Sequence, residues 1–403
     1  MSRDQRDTSS KEQTEKRANR RAFLGTSAAV GTGLLAGCTG GGGGLIGGGG
    51  GGGGDGGGSN GSGGSGGKTS ASMTYATPYT LDAEKYVPIM QPEFKKNIEQ
   101  ETNGQVEVNL APGGELGTGT KLAQKVQQGT IESAMVSLSN FSPFASEVDL
   151  VNLPYFAGTN QQFVNLATSD IWQNRVEKSV RENGYQVAYY LVVDPRSIAT
   201  GPDFPPNKTP PLTPQGMSGI KHRIPGSDLL QTAWNLAGAN PVPVDWSETP
   251  TSLQEGVIDS THNAHEFHAA YGFEDIVSHE VLINAVVDAQ VAAYSRKFYQ
   301  SLSTDLQKQL DTAAEKTFKQ QLDKVAETRQ NSYDLLAKEK GVKYHELDEG
   351  QVQQWKEAMG YQRSEWEKAK KNLAGSISDF EKFKSATTQE SKYTVSELTI
   401  PPK

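Results

Sequence analysis

Residues Gly219–Asn263 read G-I-K-H-R-I-P-G-S-D-L-L-Q-T-A-W-N-L-A-G-A-N-P-V-P-V-D-W-S-E-T-P-T-S-L-Q-E-G-V-I-D-S-T-H-N. Apolar and polar residues alternate from Ile220 to Ile224, which predicts a strand. Ser227 is a favourable cap for the helix that follows, and Gly238 can end that helix in the left-handed conformation. This stretch therefore begins with a strand and a helix.

The same alternation continues to the end of the stretch. Residues 241–244 predict a second strand, residues 247–256 a second helix, and Val257 begins a third strand. Strands that alternate with helices indicate an α/β fold with a parallel sheet, and such sheets bind ligands at the carboxyl ends of their strands.

A short segment of this stretch occurs twice in the chain. V-Q-Q-G-T-I-E-S (Val126–Ser133) matches L-Q-E-G-V-I-D-S (Leu253–Ser260) almost position for position. Each copy predicts a helix end, a glycine cap and an entering strand. Because both copies lie at the same place in a strand–helix–strand unit, we expect two similar α/β lobes with a ligand cleft between them.

The N-terminus carries the features of an exported lipoprotein. Arg20-Arg21 precedes a short apolar run, Ala22–Ala36, which is too short and too rich in glycine to span a membrane. The run ends in L-A-G-C, which resembles a lipobox, and Cys38 is the only cysteine of the chain. We therefore predict lipidation of Cys38 and no internal disulfide.

A glycine-rich segment follows, with 21 glycines among the 28 residues 40–67. This composition cannot form a hydrophobic core and is typical of a flexible tether. Removal of residues 1–37 would leave a net charge of −11. Such an acidic protein is not expected to bind nucleic acid or an anionic membrane surface.

The rest of the chain predicts the remaining elements of the two lobes. Amphipathic patterns predict helices over residues 82–102 and 160–182, and a long helix over residues 303–340 that Ser303 would cap. The expected domains are the signal (1–37), the tether (38–69), lobe I (70–193 with about 286–325), lobe II with the C-terminal helices (194–285 with about 326–385), and a tail (386–403).

Four polar or aromatic residues stand at or near predicted strand ends. Arg196 and Arg223 each end a strand-like run, and a guanidinium matches a carboxylate with two hydrogen bonds. Trp246 can form a wall of a ligand pocket or pack in the core, and Asn263 can bind a ligand or cap a turn. We interpret the two arginines as a carboxylate clamp.

The histidines provide an alternative. Four of the six lie within residues 262–279, and His265 and His268 are spaced to share a helix face. A zinc site that uses His262, His265 and His268 is therefore a second hypothesis, although no H-E-x-x-H pattern is present. Beyond the predicted signal and tether (residues 1–69), the chain contains no G-x-S-x-G, no phosphate-binding loop and no dinucleotide fingerprint, so an exported hydrolase is a third and weaker interpretation.

Several segments together resemble one family. T-N-G-Q-V-E-V-N-L-A-P-G-G-E-L-G (Thr102–Gly117), V-N-L-P-Y-F (Val151–Phe156) and the opening stretch resemble the extracytoplasmic substrate-binding proteins of TRAP transporters, of the DctP-like, C4-dicarboxylate-binding type. The resemblance spans about Thr74–Phe380. It implies two α/β lobes of the periplasmic-binding-protein kind, joined by strands and a long helix, that close around an organic acid.

The resemblance also implies roles for individual residues. Arg223, in K-H-R-I-P, corresponds to the family's carboxylate-binding arginine, and Arg196 to a second arginine after the crossover strand. Trp246, Asn263 and Ser137 correspond to further ligand-facing positions. The chain departs from the family around His262, where E-N-P or E-W is common, and this leaves the ligand subclass and any bound metal open.

The sequence thus predicts a lipid-anchored, extracytoplasmic solute-binding protein that delivers a small carboxylate to a membrane permease. It predicts no enzymatic activity, no cofactor and no resident metal. The ligand's identity, the oligomeric state and the particular permease do not follow from the residues.

Overall fold

A computed structural model describes residues 70–201, 204 and 209–396 of the chain. The predicted export signal, Cys38 and the whole of the predicted tether (38–69) lie outside these residues. Within them, no helix combines the length and the apolar character needed to cross a membrane.

The strands of the described residues form two sheets. They are β1 (Ala71–Ala76), β2 (Val106–Ala111), β3 (Ser133–Ser137), β4 (Tyr185–Leu191), β5 (Ser197–Thr200), β6 (Lys221–Ile224), β7 (Asn240–Pro243), β8 (Ser260–Asn263), β9 (His279–Leu282), β10 (Gln290–Ser295) and β11 (Lys343–Glu346). One sheet has the order β2-β1-β3-β10-β4 and the other the order β11-β9-β5-β8-β6-β7. The predicted two-lobed α/β fold is confirmed.

Helices cover both sheets. They are α1 (Gln91–Glu101), α2 (Gly119–Gln127), α3 (Asn160–Ala167), α4 (Glu177–Glu182), α5 (Asp228–Leu236), α6 (Thr249–Gln254), α7 (His265–Ala270), α8 (Arg296–Ser301), α9 (Thr304–Tyr333), α10 (Glu349–Met359), α11 (Glu367–Ala374) and α12 (Ile377–Ala386). The predicted caps are confirmed, because the side chain of Ser227 accepts from Leu230 N and that of Ser303 from Leu306 N.

The two sheets share one topology over four strands. In the first sheet β1 pairs in parallel with β2 and β3, and β10 pairs antiparallel with β3. In the second sheet β6 pairs in parallel with β7 and β8, and β5 pairs antiparallel with β8. The repeated segments enter the equivalent strands β3 and β8 through Gly129 (φ 72°) and Gly256 (φ 67°). The repeat therefore marks two lobes of like construction.

Two predicted helices are each broken in the structure. Residues 82–102 form a 3-10 turn and then α1, because Pro88 and Pro92 lack the N–H that a continuous helix needs. Residues 160–182 form α3, a π-helical turn and α4. At the end of α3 the hydroxyl of Thr168 donates to Val164 O (2.7 Å) and that of Ser169 to Leu166 O (2.6 Å), so side chains bind the last carbonyls.

Two crossing segments and the long helix α9 connect the sheets. Residues 192–196 lead from β4 to β5, residues 283–289 lead from β9 to β10, and Arg196 N donates to Val286 O at 2.8 Å between them. Helix α9 packs on the first sheet, where Gln321 Nε2 donates to Val192 O at 2.8 Å, and its continuation leads to β11 of the second. The crossing point is therefore the place where one lobe can move against the other.

The C-terminal helices contact elements beside the first sheet. Phe380 of α12 packs on Phe156 with ring centroids 5.3 Å apart, and Arg175 Nη2 donates to Ala374 O of α11 at 2.8 Å. Part of the predicted tail is also ordered against α9, where the hydroxyl of Tyr393 donates to Glu315 at 2.9 Å.

Candidate functional site

A cavity of about 110 Å³ lies between the two sheets, next to the crossing segments. Its walls contain the ends of parallel strands from both lobes, because Ser137 ends β3, Asn263 ends β8 and Arg223 lies near the end of β6. Arg196 and Trp246 also line it. The structure therefore brings all five residues that the sequence indicated to one cavity.

Arg223 enters this cavity from the second sheet. Its side chain is buried, Nε donates to Val244 O at 3.0 Å, and Nη1 donates to Asn263 Oδ1 at 3.3 Å. Burial, and then the charge of Arg196, lower the pKa of Arg223 to about 9. Among the described residues no carboxylate forms an ion pair with Arg223, so a bound anion would relieve the electrostatic penalty of its burial.

Arg196 is the second buried cation of the cavity. Its Nη2 donates to Asp288 Oδ1 at 3.2 Å, and both side chains are at most 2% exposed. Nε and Nη1 are buried and have no hydrogen-bond partner within the described chain. A buried donor without a partner is costly, so these two N–H groups favour an acceptor in the cavity.

Trp246 forms an aromatic wall. Its ring stacks on Phe273 with centroids 5.2 Å apart, and the guanidinium carbon of Arg223 lies 5.6 Å from the ring centroid. The indole Nε1 is buried and, in the part of the chain that the structure describes, without a partner. Trp246 is therefore both a packing residue and a donor.

Ser137 and Asn263 line the cavity as polar residues, one from the first sheet and one from the second. The hydroxyl of Ser137 is buried without a partner among the residues described. Asn263 Oδ1 accepts from Arg223 Nη1 and from the hydroxyl of Thr261 (3.0 Å), so its Nδ2 remains to donate. The buried side-chain atoms of the cavity that have no partner among the described residues all carry a hydrogen to donate.

Three of the further lining residues, which the sequence did not indicate, are linked by hydrogen bonds. Asp288 is the counter-ion of Arg196, Gln290 Nε2 donates to Asp288 Oδ1 at 2.9 Å, and the hydroxyl of Tyr79 donates to Gln290 Oε1 at 2.6 Å. A signal for Asp288 was present, because it is the only charged residue between Glu280 and Arg296 in an apolar run. A charge in such a run is buried and needs a partner.

Aromatic side chains join the lobes at the cavity. Tyr79, which follows β1, stacks on Phe267 of α7 with centroids 5.3 Å apart. The hydroxyl of Tyr271 donates to Pro78 O at 3.2 Å. We call Tyr79, Phe267 and Tyr271 the aromatic latch, because its contacts join the two lobes beside the cavity.

The histidines of the zinc hypothesis do not converge. His268 Nδ1 pairs with Glu280 Oε1 at 2.7 Å, and His265 Nε2 pairs with Asp194 Oδ2 at 3.2 Å. His262 packs against Trp234 with ring centroids 4.8 Å apart. Within the described residues, the ligand atoms of these three histidines form no common cluster, so this geometry does not support the zinc hypothesis.

A different group at the crossing point does bring possible metal ligands together. Asp194, His265 and Glu266 place ligand atoms within 4.8 Å of one another, but the guanidinium of Arg329 on α9 forms an ion pair with Asp194. The hydroxyl of Tyr344 and His265 Nδ1 are 2.9 Å apart. We call these residues the hinge cluster, and interpret it as an internally balanced set of charges.

The chain resembles proteins of one family. The family profile described as bacterial extracellular solute-binding protein, family 7 (DctP), matches residues 84–370. A solute-binding protein of Roseobacter denitrificans is 27% identical over 42% of this chain and half of its own length. The 2,3-diketo-L-gulonate-binding periplasmic protein of Escherichia coli is 22% identical over 62% of this chain and 74% of its own length.

A solved structure has the same fold. The TRAP periplasmic solute-binding protein of Sulfitobacter, determined with bound β-D-galacturonate, superposes with a TM-score of 0.70 at 19% identity. The superposition covers 78% of this chain and 99% of that protein. Since the family profile matches more than half of the sequence, the chain belongs to the bacterial extracellular solute-binding proteins of family 7.

Proposed function

We propose that this protein binds a small organic acid outside the cell and delivers it to the membrane permease of a TRAP-type transporter. The observation that carries the proposal is the pair of buried guanidinium groups in the cavity between the lobes. Among the described lining residues, Asp288 alone opposes them from a buried position. A carboxylate would offset the excess charge and accept from the unpartnered N–H groups. Ser137, Trp246 and Asn263 would complete the ligand's surroundings.

The named ligands of the similar proteins support this class of solute. The Escherichia coli protein is named for 2,3-diketo-L-gulonate, and the Sulfitobacter structure contains galacturonate, so both ligands are sugar acids with a carboxylate. Family membership supports a permease as partner. Binding and release would involve no covalent chemistry, so the protein would act as a carrier and not as an enzyme.

Closure of the lobes around the ligand would produce the form that the permease accepts. The proposed division assigns residues 70–193 and about 286–325 to lobe I, and residues 194–285 and about 326–385 to lobe II. The two sheets support the division, whereas α11 and α12 contact elements beside the first sheet. Because the ligand would contact both lobes, it would favour the closed state.

The test of this function is calorimetric titration of the wild-type protein and Arg223→Ala with a panel of organic acids. We expect Arg223→Ala to weaken binding at least about a hundredfold, since each hydrogen bond to a charged group contributes about 1.5–3 kcal/mol. Arg181→Ala is the matched control, because Arg181 forms an ion pair with Glu177 within α4 and does not line the cavity. Equal affinities of the wild type and Arg223→Ala would refute the carboxylate clamp.

We also propose that Cys38 is lipidated after export and holds the protein at the cell membrane through the glycine-rich segment. The support is the order of twin arginine, apolar run and lipobox in the sequence. Cys38→Ser should move the protein from the membrane fraction to the soluble exported fraction on detergent phase separation. An unchanged membrane fraction would contradict the anchor.

A further inference from the structure

The charges that line the cavity leave an excess of one positive charge in its buried part. Within the part of the chain that the structure describes, its charged lining residues are Arg196, Arg223, Asp245 and Asp288. The two arginines and Asp288 are buried, whereas Asp245 is exposed at the rim. A ligand with one negative charge balances the buried groups, and a second carboxylate would bring a charge into the cavity without a buried cation of its own.

The unpartnered donors indicate an additional oxygen on the ligand. Besides the N–H groups of Arg196, the hydroxyl of Ser137 and the indole N–H of Trp246 are buried without partners among the described residues. An indole N–H can only donate, so its partner must be an acceptor. The carboxylate supplies two oxygens with about four acceptor sites, which the N–H groups of Arg196 and Arg223 can occupy, so Trp246 and Ser137 favour another oxygen beside it.

The size of the closed cavity restricts the length of the ligand. Its volume is about 110 Å³. For comparison, an engineered apolar cavity of about 150 Å³ accommodates benzene. The aromatic latch borders the cavity, because Tyr79 and Phe267 both line it and stack on each other across the lobes. A six-carbon sugar acid would not fit unless the lobes separated.

On the basis of the proposed function, we propose that the ligand is a monocarboxylate of three or four carbons with a 2-oxo or 2-hydroxy group. Arg223 and Arg196 bind its carboxylate, and Trp246 Nε1 and the hydroxyl of Ser137 donate to the oxygen on carbon 2. Ser137 comes from the first lobe and Trp246 from the second, so this oxygen is also a contact to both lobes.

Calorimetric titration with pyruvate, lactate, propanoate, succinate and galacturonate tests the inference. Propanoate has the same carbon chain as pyruvate and lactate but lacks the oxygen on carbon 2. We expect pyruvate or lactate to bind about ten- to a hundredfold more tightly than propanoate, from two added hydrogen bonds. Succinate and galacturonate should bind more weakly than the better of the two.

Two variants test whether Trp246 and Ser137 cause the preference for pyruvate over propanoate. Trp246→Phe retains an aromatic ring on Phe273 without the N–H, and Ser137→Ala removes the hydroxyl. In both, the ratio of pyruvate to propanoate affinity should fall toward one. Ser139→Ala is the control, because the hydroxyl of Ser139 bonds to Asn152 outside the cavity lining, and its ratio should stay that of the wild type. Ratios unchanged in both cavity variants would overturn the assigned role.

The ligand panel separates this inference from the function on which it depends. Tighter binding of succinate or galacturonate than of pyruvate and lactate would overturn the inference and leave carboxylate binding intact. Absence of binding for every carboxylate tested would overturn both.

Discussion

At the scale of single residues, Asp288 decides the net charge of the cavity, because it supplies the buried negative charge opposite the two arginines. Its Oδ1 accepts from Arg196 and Gln290, and its Oδ2 accepts from Ala264 N at 2.9 Å. Asp288 therefore links its crossing segment by hydrogen bonds to Arg196 of the carboxylate clamp and to the start of α7. Its carboxylate offsets one of the two positive charges that Arg196 and Arg223 bring into the cavity.

Asp288→Asn should lower the free energy of unfolding of the ligand-free protein by about 3–5 kcal/mol. Removal of one partner leaves the guanidinium of Arg196 buried without its counter-charge. Urea denaturation would measure the change. Asp275→Asn is the control, because Asp275 pairs with Lys340 at the surface and should have no measurable effect. Equal stability of Asp288→Asn and the wild type would refute this account of the pair.

The hinge cluster belongs to the scale of secondary-structure elements, because its members come from the crossing segment, α7, α9 and β11. Burial, and then the charge of Asp194, raise the pKa of Glu266 to about 7. Burial alone would lower the pKa of His265. The negative charges of Glu266 and Asp194 and the hydrogen bond to Asp194 have the larger effect and raise this pKa. Burial likewise opposes the charge of Asp194, but His265 and Arg329 lower its pKa.

These directions predict how stability depends on pH. Glu266 and His265 both bind protons more tightly in the folded protein, so stability falls as pH rises from about 5 to 8. Asp194 acts in the opposite sense only below about pH 4, since its folded pKa lies below the ordinary value. Removal of the proton from Glu266 would add a buried negative charge beside Asp194.

Glu266→Gln should therefore flatten the dependence of the thermal midpoint on pH between 5 and 8. Each unit of pKa shift corresponds to about 1.4 kcal/mol. The free energy of unfolding that the wild type loses between pH 5 and 8 through Glu266, about 1–3 kcal/mol, should therefore be absent from the variant. Asp334→Asn is the control, because the pKa of Asp334 is lowered and its titration lies below the range. If the thermal midpoints of Glu266→Gln and the wild type changed with pH in parallel, Glu266 would not be the source of the pH dependence.

Closure of the two lobes involves the whole molecule. The aromatic latch contributes to it, because its side chains contact each other across the lobes beside the cavity. Tyr271→Phe removes the hydroxyl that donates to Pro78 O but keeps the ring beside Trp246. One neutral hydrogen bond contributes about 1 kcal/mol, so ligand affinity should fall about fivefold. The loss should show as faster dissociation in stopped-flow measurements.

Tyr393→Phe is the matched variant for this measurement. It also removes a bonded hydroxyl, but the bond goes to Glu315 on α9 and does not link the lobes at the cavity. Its affinity and dissociation rate should remain those of the wild type. If both tyrosine variants changed the dissociation rate equally, the latch would not be specific to closure.

The order of elements and the two-lobed architecture followed from the sequence because they depend on local interactions. Strand alternation, helix periodicity and the caps at Ser227 and Ser303 involve residues close in the chain, and each reappears in the structure. The glycine-marked repeat predicted two lobes since the same turn is required before β3 and β8. The breaks within residues 82–102 and 160–182 were harder to predict. In both segments the apolar pattern indicates one continuous helix, whereas prolines or side-chain hydroxyl groups interrupt its backbone hydrogen bonds.

The composition of the cavity was determined only by the tertiary structure. The sequence indicated Arg196 and Arg223, but Asp288 meets Arg196 across 92 positions, and no local pattern encodes that pairing. Successive residues of a strand point to opposite faces, so Asn263 lines the cavity while His262 packs on Trp234. The residue types were therefore readable from the chain, whereas their partners, and with them the charge and size of the cavity, depend on contacts that only folding creates.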